Sequence, residues 1–217
     1  MRKIVAGLFI TLDGVVEIPE EWMGPYFTPE LGQVIGSMMA AQDAMLLGRV
    51  TYEMFAAHWP NQTGDMADTM NTTPKYVVSG TLESAGWQNT TLIPAAGAFG
   101  EIAGLKQQPG QNIGMTGSGT LVSSLLREGL LDELHLFVFP VVLGSGKRLF
   151  ATPGDKLPLR LIDSATWSIQ LGDDPGRWRG GSRRRPGDPR PGHRRPHHDR
   201  LPVHRGLTRN AGRHALA

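Results

Sequence analysis

The chain has 217 residues, 40% of them hydrophobic, no cysteine, and a formal net charge of +2, enough apolar material for one good core. The lack of cysteine excludes disulfides, thiolate zinc centres and cysteine nucleophiles. Charge is unevenly spread: residues 172–217 hold twelve Arg, no Lys and four Asp, a charge of +8, which leaves −6 for residues 1–171. Basicity therefore belongs to the tail, and gives no reason to expect the part able to fold to bind nucleic acid or an anionic membrane.

Lys3 to Ile10 is a continuous apolar, β-rich run closed by Asp13-Gly14, the pattern of a strand buried on both faces. The run is too short to span a membrane and lacks a following cleavage site, so a cytoplasmic protein without a signal peptide is expected. Thr28 can cap a helix that begins at Pro29, with Leu31, Val34, Ile35, Met38 and Met39 on one apolar stripe facing a sheet. Asp43 to Leu47 reads as a short buried strand ending at Gly48-Arg49, and Val50 to Ala57 as the next helix. Lys75 to Ser79 and Thr90 to Ile93 read as strands, Phe99 to Leu105 as a helix. Asn112 to Met115 is a strand leading through Thr116-Gly117-Ser118-Gly119 into a helix from Thr120 to Arg127, closed by Gly129. This alternation predicts a largely parallel sheet. From Glu133 the pattern changes: Leu134, Leu136 and Val138 alternate with His135 and Phe137 up to Pro140, and a second extended stretch, Leu157 to Leu171, is expected to pair with that strand antiparallel.

Beyond Leu171 the chain is rich in Arg, Gly, Pro and His and nearly free of aliphatic residues until Leu201, so it cannot bury enough apolar surface to offset its ordering entropy. Three readings stay open: a disordered extension, the product of a shifted reading frame, and a nucleic-acid-binding arm, for which Trp178 is the sole aromatic stacking partner. His193, His197 and His198 lack the scaffold of a metal site, and no metal is expected. The expected organisation is one domain over residues 1–171 and a tail over 172–217.

Two segments carry chemistry. In Leu46-Leu47-Gly48-Arg49-Val50-Thr51-Tyr52-Glu53, a strand ends in Gly and a helix opens with Arg and Thr. A guanidinium, a hydroxyl and unsatisfied backbone N–H groups then surround one point, which suits a phosphate. The alternative is that Arg49 is merely solvated and Thr51 caps the helix. In Met115-Thr116-Gly117-Ser118-Gly119-Thr120-Leu121, two glycines between strand and helix let backbone approach a pyrophosphate. Here the third glycine of the dinucleotide fingerprint is missing, so a plain tight turn is the alternative and a standard Rossmann half is disfavoured.

With these two segments stand Thr11-Leu12-Asp13-Gly14, Ser79-Gly80-Thr81, Leu131-Asp132-Glu133-Leu134 and the loop Pro140-Val141-Val142-Leu143-Gly144-Ser145-Gly146 before Leu149-Phe150. In this order they resemble the dihydrofolate reductase superfamily, and within it the C-terminal reductase domain of bifunctional riboflavin-biosynthesis proteins and its stand-alone relatives, over residues 1 to about 165. The resemblance implies a three-layer α/β/α fold, mostly parallel with an antiparallel C-terminal pair, and NADPH as cofactor. Arg49 would lie by the adenosine 2′-phosphate, and Gly48 and Thr51 by the pyrophosphate. Ser79, Gly80 and Thr81 would flank the adenosine, and Gly117, Ser118, Gly119, Thr120 and Leu121 would hold the diphosphate. Ala6, Thr11 and Gly14 would lie against the nicotinamide.

The implied activity is reduction of a pyrimidine- or pterin-like substrate, resembling 5-amino-6-(5-phosphoribosylamino)uracil reductase. Dihydrofolate reductase activity, a nucleic-acid binder acting through the tail, and a non-catalytic relative are the rivals, and a homodimer is expected. Asp13, Trp22 and Glu30 are candidate substrate residues, Glu30 as the acid on the first helix, but no residue is assigned a catalytic role because hydride transfer needs little beyond positioning. His58 and Trp59 are read as helix-end packing. A substrate ribose phosphate would need basic partners, for which Arg2, Lys3, Lys75, Lys147 and Arg148 are candidates. The family also ends in an apolar strand that this chain lacks after Ser168-Ile169-Gln170-Leu171.

Overall fold

The computed structural model describes residues 1–17, 22–150 and 156–166. Strand β1 (Ile4–Thr11) is followed by helix α1 (Pro29–Ala40), where the Thr28 hydroxyl accepts from the Leu31 N–H and Pro29 stands at the first turn. Strand β2 (Gln42–Gly48) runs directly into α2 (Arg49–His58). Helix α3 (Asp65–Thr72) precedes strands β3 (Lys75–Ser79) and β4 (Thr90–Pro94). Then come α4 (Ala98–Gln107), β5 (Asn112–Met115), α5 (Gly119–Arg127) and β6 (Glu133–Phe139).

The strands form one sheet in the order β4-β3-β2-β5-β1-β6, with every neighbouring pair parallel. Alternate residues go to opposite faces. On one face Ile4, Ala6, Leu8, Ile10, Leu46 and Met115 pack with Ile102 of α4 and Leu121, Val122 and Leu125 of α5. On the other, Met45, Leu47 and Val77 meet Tyr52 of α2 and Met70 of α3, while Phe137 and Phe139 meet Leu31, Val34, Ile35 and Met38 of α1. The expected three-layer α/β/α architecture is therefore present, and the apolar stripe of α1 lies on the sheet.

This order creates a crevice. The chain leaves β2 toward β3 on one side and leaves β5 toward β6 on the other, and β2 and β5 are hydrogen-bonded neighbours. Their connections depart over opposite faces, so the carboxyl ends of β2 and β5 open between them, the place where ligands settle on open α/β sheets.

The C-terminal end differs from expectation. Strand β6 pairs parallel with β1, from Val5 with Glu133 to Thr11 with Phe139. Among the described residues no strand pairs antiparallel with β6: residues 156–166 form neither helix nor strand, and 167–171 lie outside the described residues, as does the tail 172–217. The buried set of β6 is Phe137 and Phe139, whereas Leu136 and Val138 are exposed, because the phenylalanines face α1. Helix α3 was not foreseen, since Ala67 and Met70 are its buried residues and the remaining positions are mostly polar. No helix among the described residues is long and apolar enough to cross a membrane.

Candidate functional site

Two glycine-bearing turns meet in the crevice. Gly48, at the end of β2, approaches the β5–α5 turn so closely that an ideal Cβ on it would lie 2.4 Å from Ser118 Oγ and 3.1 Å from Ser118 Cβ. The contact is reciprocal. A Cβ on Gly117, whose φ is +151°, would lie 2.7 Å from Thr51 Oγ1 on the first turn of α2. Neither turn can carry a larger residue without moving the other, so the N-termini of α2 and α5 are held side by side over adjacent strands.

The two helix starts are finished differently. In α5 the Ser118 hydroxyl accepts from the Leu121 N–H. In α2 the N-cap is Gly48, no side chain caps the first turn, and no acidic residue lies within it. The first N–H groups of α2 therefore lack a side-chain acceptor, while the helix dipole places partial positive charge there. Arg49 adds a guanidinium at the rim. Its Nη1 donates to both oxygens of Glu53, at 3.0 and 2.8 Å, and both side chains remain substantially exposed. Uncapped N–H groups, a close backbone and an exposed guanidinium fit a phosphate-bearing group better than a neutral one.

A loop rising from β1 stands beside these turns. Thr11 Oγ1 donates to the Asp13 carboxylate at 2.7 Å and accepts from the Val15 N–H at 2.9 Å. Gly14 takes a φ of +84°, open to glycine and strained for other residues. Val16 reaches the start of α5, where a Cβ on Gly119 would lie 3.0 Å from its Cγ2. The Asp13 carboxylate also accepts from the N–H groups of Leu143 and Gly144, at 3.3 and 2.9 Å, and from Arg148 at 3.4 Å. Hydrogen bonds from Leu12 to Val141, Val16 to Lys147 and Leu149 to Gly14 complete a double-sided clasp between residues 11–17 and 141–149. The Thr11 hydroxyl, followed by the N–H groups of Gly144 and Leu143, holds the Asp13 carboxyl well below the usual carboxylate range.

The other sequence-derived candidates distribute unevenly. Ser79, Gly80 and Thr81 lie at the carboxyl end of β3, beside β2. There the Ser79 hydroxyl accepts from the Thr81 and Leu82 N–H groups, closing a turn. Thr120 and Leu121 form the first turn of α5. Ala6 is fully buried in the core, in β1 between β5 and β6, and presents no surface to a ligand. Trp22 is 3% exposed, packs edge-on against Phe139 and donates its indole N–H to the Glu17 carbonyl, so its ring serves the core beneath α1.

Glu30 is exposed on the first turn of α1, where its own backbone N–H and the Thr28 hydroxyl hold its carboxyl below the ordinary value, the opposite of what a general acid needs. Glu30 lines an open cavity of about 680 Å3 with Gln33, Ser37, His135 and Asp163. That cavity runs along α1 toward the amino ends of the strands, and neither glycine turn lines it.

Of the five basic candidates, three lie at the amino ends of the strands, away from the crevice. Arg2 is buried and ion-paired with Asp43, and Lys3 pairs with Glu133. Lys75 is 1% exposed beneath Trp87. Lys147 and Arg148 lie in the clasp instead. Sequence reasoning passed over Glu53 and Val16. For Glu53 a signal existed, since an acid four residues after an Arg on a helix is a standard pairing distance.

Comparison with known proteins agrees with this architecture. The chain is 28% identical over 193 residues to the uncharacterized protein YyaP of Bacillus subtilis (strain 168), covering 82% of this chain and 96% of that one. Among solved structures, a protein of Shewanella sp. PV-4 assigned to riboflavin biosynthesis superposes with a TM-score of 0.62 at 23% identity, over 76% of this chain and 92% of that one. A diaminohydroxyphosphoribosylaminopyrimidine deaminase/5-amino-6-(5-phosphoribosylamino)uracil reductase from Thermotoga maritima superposes with a TM-score of 0.51 at 14% identity, over 74% of this chain and 51% of that one. The family model described as the RibD C-terminal domain matches residues 2–171, and the chain therefore belongs to the RibD C-terminal domain family.

Proposed function

We propose that the chain is an NADPH-dependent reductase acting on a pyrimidine- or pterin-like ring, with the coenzyme phosphates in the crevice between β2 and β5. One observation carries this reading: the interlocked starts of α2 and α5, one of them uncapped and flanked by Arg49, at the carboxyl ends of neighbouring parallel strands. Family membership and the uracil reductase activity of the Thermotoga maritima protein support the choice of substrate class.

In this proposal the uncapped N–H groups of α2 and the backbone of Gly117 to Leu121 bind the diphosphate, and Arg49 binds the 2′-phosphate. The clasp through Asp13 fixes the loop from Thr11 to Val16 as one wall. Bound NADPH supplies the hydride. The protein's task is then to hold donor and acceptor carbons together and exclude water. Asp13 and Glu30 are both held toward the ionised form, so neither is assigned proton donation, and the dihydrofolate reductase reading loses its acid.

The test is a fluorescence or thermal-shift titration with NADPH and NADH on the full chain and on Arg49→Ala. A charge-assisted bond of about 1.5–3 kcal/mol corresponds to a loss of roughly one to two powers of ten in NADPH affinity, with NADH little affected. A folded protein that binds neither nucleotide would refute the proposal.

A further inference from the structure

Arg49 already holds an anion. Glu53 lies one helical turn further along α2, and its carboxylate takes both of its hydrogen bonds from a single guanidinium nitrogen, Nη1, at 3.0 and 2.8 Å. Among the described residues this is the ion pair Arg49 makes. An arginine offers five N–H donors in a planar fork, so Nε and Nη2 remain able to receive a second anion. That anion would then sit one guanidinium width from a fixed negative charge. No acidic residue lies in the first turn of α2, so on this helix the nearest disfavouring charge is Glu53.

We infer that Glu53 tunes the coenzyme preference of the crevice by competing with a 2′-phosphate for Arg49. The inference deepens the nucleotide reading above and rests on it. Glu53 acts through Arg49 and is a positioning residue. A phosphate dianion facing a carboxylate about 7 Å away, largely hydrated and at ordinary ionic strength, loses roughly threefold in affinity. A nucleotide without the 2′-phosphate loses nothing by the same route. Glu53 thus lowers selectivity for the phosphorylated coenzyme below what Arg49 alone would confer.

The test measures calorimetric binding of NADP+, NAD+ and adenosine 2′,5′-bisphosphate to the full chain, Glu53→Gln, Arg49→Ala and the double variant. Thermal melts verify that each is folded; an exposed helical pair contributes little stability. Glu53→Gln is expected to tighten NADP+ and the bisphosphate about threefold at ordinary ionic strength and to leave NAD+ unchanged. The gain should shrink at high salt and vanish in the Arg49→Ala background. Unchanged or weaker NADP+ binding by folded Glu53→Gln overturns the assignment. So does equal tightening of NAD+, or a gain that survives without Arg49. If the parent chain binds neither dinucleotide, the nucleotide reading falls and takes Glu53 with it; if it binds NADP+ through Arg49 and Glu53→Gln changes nothing, the Glu53 assignment alone falls.

Discussion

Replacing Gly48 by alanine tests the interlock of the two turns directly. Gly48 has φ −82° and ψ 158°, backbone that alanine adopts without strain. Any effect must therefore come from the added methyl, which would lie 2.4 Å from Ser118 Oγ and 3.1 Å from Ser118 Cβ, about 1 Å inside ordinary van der Waals contact for the oxygen. Relief requires Ser118 to give up its cap on Leu121 or the two turns to separate, and overpacking of this kind costs about 1–3 kcal/mol. For a chain of this size that is roughly 2–12 °C in melting temperature. Ser118→Gly removes both clashing atoms and, as a Ser-to-Gly change at an N-cap, should cost only a few tenths of a kcal/mol. Thermal melts of Gly48→Ala, Ser118→Gly and the double variant form a cycle in which the alanine is expected to cost less than about 0.5 kcal/mol once Ser118 is glycine. NADPH affinity should fall with Gly48→Ala and recover substantially in the double variant. Additive melting effects, or a Gly48→Ala protein as stable as its parent, would refute the interlock.

Two further predictions concern pH. The carboxyl of Asp13 is depressed in the folded state from a reference value of 3.8, so its contribution to stability is complete above that value and is lost as pH falls beneath it. Denaturant titrations from about pH 5 to about pH 2 should show the stability gap between the parent and Asp13→Asn closing with acidification; a constant gap would count against the clasp. Lys75 moves the other way along the scale, because burial lowers its amine from 10.5 to about 8. The folded protein sheds that proton before the unfolded chain does, so stability gains as pH rises from about 8 to about 10.5 and levels off beyond. In Lys75→Met this rise should be missing. The amine donates to the carbonyls of Asn71 and Thr73 and lies 4.2 Å from the Trp87 ring centroid. Identical pH profiles for parent and variant would show that its environment is not the cause.

Strands of a sheet covered on both faces announce themselves as short, largely apolar runs, and Lys75–Ser79 and Asn112–Met115 were legible to the residue. Helix α3 was not, because a helix held by Ala67 and Met70 alone shows almost no periodicity. The pairing of β6 was only partly legible, for a different reason. Alternation along Glu133 to Phe139 signals a strand with unlike faces, but whether its partner is parallel depends on where the chain crosses over, which no local pattern records. The site was partly legible in the same sense. Gly48, Arg49 and the turn at Gly117 were visible as pieces, while their mutual contact follows from β2 and β5 being neighbours despite the two strands and three α-helices between them in sequence. Asp13 was visible as a turn residue, yet apart from Thr11 the partners of its carboxylate lie 130 and more positions away.

The position of β1 governs how the chain can be made. Of the six strands of this sheet it is the first to be synthesised and the one whose partners come last, since Ile4 pairs beside Ile113 and Val5 beside Glu133. At about 5–20 residues per second, roughly 5–25 s pass before β1 can close its ladder on both sides. During that interval β2, β3 and β4 can pair among themselves, whereas the eight-residue run from Ile4 to Thr11 is an apolar strand with two open edges. Biogenesis of this fold thus places its greatest demand on the N-terminal strand, where a holding chaperone or a slow stretch of translation after β5 would be felt first.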